Sequence, residues 1–369
     1  MHHDVIIIGA GPAGLCLAKA LCDLDLKVAL VERQARAAIA EPAFDGREIA
    51  LTHASIRQLR DLGIWQHLPD DAASPLRAAR VMEGDCLHDM RIDAALAGKS
   101  ELGMLVPNQR IREAAWKAVA DMPGLDFFDD ARVHAVRTTD DHACVTLGDG
   151  LRLEAPLLVA ADSRFSETRR AMGIGADQYD FGKSMLVCRM HHEQPHQGVA
   201  WEWFGQGQTL ALLPLQEHQA SVVVTLPDSA ARRLAALDVD AFAHEMEQRY
   251  GHRLGHMRLE SSRHVYPLVG VYARRFVARR FALAGDAAVI EGEEDHRGGR
   301  AALGLAMERF AADEVRLREL HRPAEASLDG RDLLGDLVSV ERVVRFQAER
   351  VAGAQAGGHE PVGFAGGEE

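Results

Sequence analysis

Residues 4–14 read DVIIIGAGPAG, a short apolar run that leads directly into three glycines spaced as GxGxxG. The apolar run predicts a buried parallel strand, and the glycines predict a turn that binds phosphate. Gly9 allows a tight chain reversal, Gly11 leaves room for a pyrophosphate beside the backbone, and Gly14 lets the next helix pack closely on the strand. This stretch therefore predicts the start of a dinucleotide-binding βαβ unit.

The residues that follow complete the pattern of such a unit. Residues 15–24 have the apolar spacing of a helix, and residues 27–31 form a second apolar run that ends at Glu32. The separation of Glu32 from Gly14 is close to the roughly 20-residue offset at which a carboxylate binds ribose hydroxyls. A glycine turn in an unrelated α/β protein is the alternative, and the complete βαβ pattern makes it the weaker one.

Composition narrows the class of protein. The chain has 369 residues, 47% of them hydrophobic and 26% charged, which is typical of a globular protein with about two domains. A net charge of −13 without a long basic run argues against a nucleic-acid partner. The five cysteines lack a CxxC pair, and no histidine set has ligand spacing, so no metal site is predicted. No apolar run resembles a leader or a membrane span, which predicts a cytoplasmic protein.

The order of predicted strands and helices indicates one domain inserted in another. Residues 184–226 contain successive apolar runs joined by short polar turns, which predicts an antiparallel sheet. Two helical patterns follow at 230–237 and 239–250, and the nucleotide-domain pattern resumes at Arg280. The predicted fold is α/β, a Rossmann-like domain with an inserted antiparallel-sheet domain. The predicted domains are 1–183 with 265–320 for the nucleotide, 184–264 for the substrate and 321–369 as a divergent tail, with 73–98 assignable to the substrate side.

Two later motifs extend the nucleotide pattern. Residues 279–288 read RRFALAGDAA, an apolar strand that delivers Gly285 and Asp286, whose carboxylate can accept hydrogen bonds from sugar hydroxyls. Earlier in the chain, ADSRFSETRR begins at Ala161 and provides Asp162 at the end of another apolar run. Both acidic residues therefore follow strands that are predicted to lie in the nucleotide domain.

The order and spacing of these three motifs resemble those of the flavin-dependent aromatic hydroxylases with the para-hydroxybenzoate hydroxylase fold. Asp162, Ser166 and Arg169 fit the middle motif of that family, with Ser163 where glycine is usual. Residues 44–65, FDGREIALTHASIRQLRDLGIW, are similar to the ubiquinone-biosynthesis hydroxylases of the UbiH/UbiF group. Within that group, ADSRFSETRR at 161–170 and YPLVGVYARRFVARRFALAGDAAV at 266–289 most resemble the UbiM-type branch. The resemblance implies bound FAD, NAD(P)H and O2 as co-substrates, and hydroxylation of the aromatic ring of a ubiquinone precursor.

The resemblance also implies where the cofactor binds. The glycine turn and Glu32 would hold the AMP half of FAD, two arginines would approach its phosphates, and a late carboxylate would bind its ribityl chain. Surface ion pairing is the alternative for the arginines, and helix capping is the alternative for Asp162. The predicted cofactor-binding residues are Gly9, Gly11, Gly14, Glu32, Arg47, Arg110, Asp162, Gly285 and Asp286.

The substrate ring is expected between the inserted sheet and the flavin. Trp201, Trp203, Phe204 and Tyr266 are candidates for lining it, and sheet packing is the alternative because aromatic residues favour strands. A polyprenyl substrate implies peripheral contact with the inner face of a membrane, and contact with other quinone-biosynthesis proteins. No catalytic residue is nominated, because the flavin supplies the reaction.

Residues 289–299, VIEGEEDHRGG, depart from the family pattern. They lack its proline and the asparagine of its loop, and their carboxylates would oppose negative charge on a reduced flavin. A reading-frame change after Val289 and true divergence, with Gly298 and Gly299 as a replacement loop, are the alternatives. The competing functions are a reductase or dehydrogenase of the same fold and an impaired flavoprotein or assembly subunit. A halogenase is disfavoured because no Ile-Pro follows Trp203.

Overall fold

A computed structural model describes residues 2–84, 89–205 and 207–290 of the chain. Residues 291–299 of the departing segment lie outside these residues. The same holds for residues 300–320 and 331–351, whose apolar spacing predicts two helices. The described helices are α1 Pro12–Cys22, α2 Arg36–Ala40, α3 His53–Asp61, α4 Asn108–Val119, α5 Glu167–Ala171, α6 Asp228–Ala235 and α7 Val239–Arg249.

The strands of the described residues fall into four sheets. In chain order they are β1 Val5–Ile8, β2 Val28–Val31, β3 Glu48–Thr52, β4 Ser74–Leu76, β5 Ala78–Glu83, β6 Met90–Asp93, β7 Gly103–Pro107, β8 Leu125–Phe128, β9 Val133–Thr138, β10 Ala143–Leu147, β11 Arg152–Ala155, β12 Leu157–Ala160, β13 Ala176–His192, β14 Val199–Gly205, β15 Gln208–Pro214, β16 Gln219–Pro227, β17 Met257–Leu259, β18 His264–Ala273, β19 Val277–Ala278, β20 Phe281–Leu283 and β21 Val289–Ile290.

The nucleotide-domain sheet has the order β19-β20-β12-β1-β2-β8, and all its pairs are parallel except β19 with β20. Its central strands β1, β2 and β12 are buried along their whole length, as expected for a sheet covered on both faces. One face, which carries Ile6 and Val31, packs on the small antiparallel sheet β9-β10-β11. Helices α1 and α4 pack against one another beside the nucleotide-domain sheet.

The large sheet has nine strands in the order β21-β18-β13-β16-β15-β14-β5-β6, with β17 paired to β13. All its pairs are antiparallel except that of β14 with β5. The segment around residues 73–98 contributes β5 and β6, and β18 stays in this sheet as far as Ala273. The large sheet therefore draws its strands from separate parts of the chain.

The two faces of the large sheet have different neighbours. On β13, Leu186, Cys188 and Met190 pack into a core with residues of α6 and α7, including Phe242 and Met246. Because side chains alternate along a strand, the residues between them point to the opposite face. We call that opposite face, which carries Met185, Val187 and Arg189 on β13, the inner face.

Residues 44–48 of the nucleotide domain lie against the inner face. The Glu48 side chain is fully buried and accepts hydrogen bonds at one carboxylate oxygen from Arg189 Nε (2.8 Å) and Nη2 (2.6 Å). Burial raises the pKa of Glu48, and the attraction of Arg189 opposes that shift. The Phe44 ring lies 4.9 Å from the same guanidinium, so one arginine joins the two parts of the molecule.

A buried histidine makes stability depend on pH. His192 is 0% exposed and hydrogen bonds through Nδ1 to the carbonyl oxygen of Gln194 (2.8 Å). The pKa of His192 is lowered from 6.5 to about 4, chiefly by burial and to a smaller extent by the nearby His196, His191 and His218, while the Gln194 carbonyl opposes the shift. Below about pH 6.5 the unfolded chain therefore binds a proton that the folded protein does not.

We expect this difference to remove up to about 3 kcal/mol of folding free energy between pH 6.5 and pH 4. Urea unfolding across this range would measure it, compared with His192→Asn, whose side-chain amide can still donate to Gln194. Carboxylates titrate in both proteins, so the variant should lose stability less steeply. If the free energy of unfolding falls equally steeply with pH in both proteins, the pH dependence does not come from His192.

Candidate functional site

The predicted cofactor-binding residues meet at one edge of the nucleotide-domain sheet. Strands β1, β2, β12 and β20 are parallel, so their carboxyl ends lie at the same edge. In open α/β sheets, ligands bind in the crevice at that edge. Gly9 and Glu32 directly follow β1 and β2, and Asp162 and Gly285 are the second residues after β12 and β20.

The first turn of α4 lies at the same edge. Helix α4 leads into the start of β8, which is parallel to β2, so the helix runs back along the sheet from its carboxyl edge. Its Trp116 ring contacts Phe127 of β8 at 4.8 Å between centroids. Arg110 lies in the first turn of α4, and Arg47 is tied to that turn by the backbone hydrogen bond from Asn108 N to Arg47 O (2.9 Å).

The glycine turn has the geometry that a pyrophosphate requires. Gly9 has φ +106°, and a Cβ atom there would lie 2.5 Å from Ala161 O. A Cβ on Gly14 would overlap the carbonyl oxygen of Gly9, so α1 can pack this closely on the end of β1 only because residue 14 is glycine. A Cβ on Gly11 would meet no atom within 4 Å, and no side chain caps α1 at this residue. The open space therefore lies at the amino end of α1, where the helix dipole favours an anion.

Glu32 is held rigidly beside this turn. Its carboxylate oxygens accept hydrogen bonds from Ala10 N (2.8 Å) and Gln34 N (2.9 Å), and the residue is only 9% exposed. Each carboxylate oxygen retains further acceptor capacity. Glu32 is thus fixed in one orientation with acceptor capacity to spare, which suits the hydroxyls of a sugar.

Asp162 is not the cap of the following helix. Ser166 caps α5 by accepting a hydrogen bond from Arg169 N (2.9 Å), while Asp162 Oδ2 accepts one from Thr168 Oγ1 (3.1 Å). Asp162 Oδ1 is buried and has no hydrogen-bond partner among the described residues. A buried acceptor without a partner is costly, which fits a hydroxyl or water bound at this position.

Arg169 joins the middle motif to the late Gly-Asp motif. Its side chain donates hydrogen bonds to Ala287 O (2.6 Å) and Arg164 O (3.0 Å), and the residue is only 1% exposed. Burial lowers its pKa, although Asp162 nearby opposes the shift. The sequence placed Arg169 in the motif without assigning it a role. Only its long-range contact with Ala287 shows that it supports the 285–287 turn.

The late Gly-Asp motif lies against the glycine turn although the two are far apart in sequence. Gly285 has φ +57°, and a Cβ atom there would come within 3.0 Å of Ala13 Cβ. Asp286 is exposed beside this contact, with its carboxylate available to solvent. The two ends of the predicted FAD site thus adjoin one another.

Arg47 and Arg110 each have a carboxylate partner and remain accessible. Arg47 donates from Nε (3.1 Å) and Nη2 (2.6 Å) to Asp45 Oδ2, and Arg110 Nη1 donates to Glu113 (2.7 Å). Their side chains are 47% and 42% exposed. Each guanidinium has five N–H donors, so it can bind a phosphate while it keeps its carboxylate partner.

The four aromatic candidates for the substrate pocket lie on opposite faces of the large sheet. Trp201 and Trp203 pack against the core beneath α6 and α7, and Trp203 Nε1 donates to Gly84 O (2.9 Å). For these two residues the structure favours packing over substrate contact. Phe204 follows Trp203 on β14 and so points to the inner face, which Tyr266 shares through its pairing with Met185.

A cleft of about 280 Å³ separates the start of α4 from the large sheet. Gln109 and Arg110 line it from α4, and Arg189, Leu215 and Gln216 line it from the sheet side. Among residues 2–84, 89–205 and 207–290, no group of side chains could hold a metal ion. Within the same residues, no helix has the length and apolar character needed to cross a bilayer.

Comparisons with known proteins identify relatives of this chain. The family model described as FAD binding domain matches residues 2–291. The chain is 42% identical to the ubiquinone hydroxylase UbiM of Neisseria meningitidis, covering 78% of this chain and 64% of that protein. It is 33% identical to the ubiquinone hydroxylase UbiL of Rhodospirillum rubrum, covering 77% and 66%. The match therefore spans slightly less than two thirds of the length of these relatives.

Solved structures show the same fold at low identity. The probable FAD-dependent monooxygenase PqsL of Pseudomonas aeruginosa superimposes with a TM-score of 0.66 at 21% identity, covering 96% of this chain and 93% of that one. The p-nitrophenol 4-monooxygenase PnpA of Pseudomonas putida gives a TM-score of 0.62 at 18% identity, covering 78% and 73%. At these identities the likeness concerns the fold alone.

Proposed function

The chain belongs to the FAD-binding domain family, and from that membership we propose that it is an FAD-dependent monooxygenase. Its substrate is the aromatic ring of a ubiquinone precursor, with NAD(P)H and O2 as co-substrates. The observation that carries the proposal is the 42% identity to ubiquinone hydroxylase UbiM over 78% of this chain. The family match and the solved structures confirm the predicted cofactor, FAD, and the predicted fold class.

The residues at the carboxyl edge fit the parts of FAD. The open amino end of α1 at Gly11 suits the pyrophosphate, and Glu32 suits the ribose of the AMP half. Arg47 and Arg110 would add positive charge near the phosphates, and Asp286 would accept hydrogen bonds from the ribityl chain. The buried, unpartnered Oδ1 of Asp162 supports a place beside the dinucleotide.

FAD bound at the carboxyl edge would supply hydride acceptance from NAD(P)H and activation of O2 for transfer of one oxygen atom to an electron-rich ring. The protein must then hold the ring and exclude water. The inner face of the large sheet, with Phe204, and the cleft between Arg110 and Arg189 are the surfaces we assign to the ring. A polyprenyl tail, peripheral membrane contact and contact with other quinone-biosynthesis proteins belong to the same proposal.

The test is to purify the full chain, record its flavin absorbance, and follow NAD(P)H oxidation, O2 uptake and hydroxylated product with a short-chain ubiquinone precursor. Product formed in proportion to O2 consumed supports the proposal, as does restored quinone synthesis in cells that lack a ring hydroxylase. NAD(P)H oxidation without hydroxylated product would indicate a reductase. A protein that stays colourless after FAD is added would indicate a binding or assembly subunit.

A further inference from the structure

We propose that Tyr266 is a positioning residue through which the large sheet holds Arg47 at the FAD-binding edge. The inference rests on the proposed function, because it takes Arg47 as a ligand of the FAD phosphates. It gives Tyr266 a different task from the one that the sequence predicted, which was to line the substrate pocket.

Tyr266 lies on β18 and reaches residues 45–47 in two ways. Its hydroxyl donates a hydrogen bond to Asp45 O (2.6 Å). Its ring lies under the guanidinium of Arg47, with 5.6 Å from Cζ to the ring centroid. A cation over an aromatic face is attracted by the ring quadrupole, so both contacts restrain the same short segment.

Asp45 connects these contacts to α4. Its carboxylate accepts hydrogen bonds from Arg47 Nη2 (2.6 Å) and from Asn108 Nδ2 (2.7 Å), while Asn108 N donates to Arg47 O (2.9 Å). Burial tends to raise the pKa of Asp45, but the bonds from Arg47 and Asn108 bring it below its ordinary value. Asp45 is therefore charged at neutral pH. Its carboxylate orients the Arg47 guanidinium by hydrogen bonding, and the Tyr266 ring supports the same guanidinium by packing against it.

The neighbouring residue His264 helps to keep Tyr266 in this position. The His264 ring stacks on it with 6.3 Å between centroids and an interplanar angle of 10°. His264 itself lies against Gly46, where a Cβ atom would come within 2.9 Å of its ring. Burial raises the pKa of Tyr266, so its hydroxyl remains protonated and able to donate. The Arg47 side chain is still 47% exposed, so part of its guanidinium is accessible to an anionic ligand.

The arrangement predicts that FAD affinity depends on a residue of the large sheet that is not itself among the assigned cofactor ligands. We expect Tyr266→Phe, which removes only the hydroxyl, to weaken FAD binding about threefold. We expect Tyr266→Leu, which also removes the ring beneath Arg47, to weaken it about tenfold. Titration of the apoprotein with FAD, followed by flavin fluorescence, measures both, and circular dichroism verifies that each variant is folded.

Tyr179 provides the matched control. It lies on β13 of the same sheet and is 64% exposed, so Tyr179→Phe and Tyr179→Leu make the same chemical changes away from residues 45–47. Both control variants should bind FAD as the unmodified protein does. An equal loss in the Tyr179 and Tyr266 variants would overturn the proposal.

A double-mutant cycle with Arg47→Ala distinguishes positioning of Arg47 by Tyr266 from a general destabilisation of the fold. If Tyr266 acts through Arg47, Tyr266→Leu should have little further effect on FAD affinity once Arg47 is alanine. Additive losses, or no loss on changing Tyr266, would refute the positioning role. If Arg47→Ala itself leaves FAD affinity unchanged, the assignment of Arg47 to the phosphates fails. If the unmodified protein binds FAD but forms no hydroxylated product, the proposed function fails while the positioning role of Tyr266 can still hold.

Discussion

Replacing Gly11 with alanine should give a normally folded protein that has lost most of its FAD affinity. A Cβ atom at this position meets no protein atom within 4 Å, so folding has no steric reason to suffer. The same atom would occupy the space through which a pyrophosphate approaches the backbone N–H groups of α1. Losing two charge-assisted hydrogen bonds corresponds to about 3 kcal/mol, or roughly a 100-fold weaker affinity.

Gly14→Ala is the control that should behave differently. Its Cβ atom would overlap the carbonyl oxygen of Gly9, so α1 must move away from β1 and β12. We expect a loss of about 2–4 kcal/mol in the free energy of unfolding, typical of overpacking at a rigid backbone contact. Thermal unfolding and FAD titration of both variants provide the check. If Gly11→Ala binds FAD normally, the pyrophosphate does not lie at this turn.

Replacing Arg169 with methionine should destabilise the protein by about 2–4 kcal/mol, because buried carbonyls lose their donors. The side chain donates to Ala287 O and Arg164 O in a site that is closed to water. We also expect weaker FAD binding, since the contact with Ala287 holds the turn that presents Asp286. Arg169→Lys should restore little, because an ammonium group lacks the planar fork that reaches two carbonyls.

Arg170→Met is the matched control for this prediction. Arg170 adjoins Arg169 on α5, but its side chain is exposed. Its loss should change stability by less than about 0.5 kcal/mol, as for ordinary surface substitutions. Urea unfolding of the two variants, each with and without FAD, tests the difference. Equal stability of Arg169→Met and Arg170→Met would show that the buried guanidinium does not support the turn.

Much of the local structure was predictable because it depends on short-range patterns. The βαβ unit at residues 5–31 was recognisable from its apolar runs and glycines. The four strands β13 to β16 and the two helices after them were also anticipated. Apolar periodicity and turn residues determine such elements locally, whatever they later pack against.

Other elements were missed because they depend on distant partners. Strand β13 begins at Ala176, well before the predicted start, because its exposed first half pairs with β18 and contains an irregularity between Asp180 and Ser184. The parallel pairing of β14 with β5 and the sheet β3-β7-β4 join segments that no local pattern links. Strand pairing satisfies backbone hydrogen bonds that can come from any part of the chain.

The residues of the candidate site also fall into two groups, those that a local sequence pattern reveals and those whose role depends on distant partners. Gly9, Gly11, Gly14 and Glu32 could be singled out from sequence because one βαβ unit contains all of them at fixed spacing. The roles of Arg169 and Tyr266 could not, because each acts through a backbone carbonyl more than 100 positions away. The face that Trp201 and Trp203 occupy was equally undetermined, since alternation along a strand does not reveal which face the helices cover.

The sequence by itself therefore determined the nucleotide-binding unit and the class of fold, since periodic apolar residues and glycines act within a few turns of the chain. Only the tertiary structure decided which side chains meet at the carboxyl edge and which residues hold them there. Parallel strands from four regions of the sequence must first pair before their ends converge. The buried hydrogen bonds of Arg169 and Tyr266 exist only once that packing has brought their acceptors within reach.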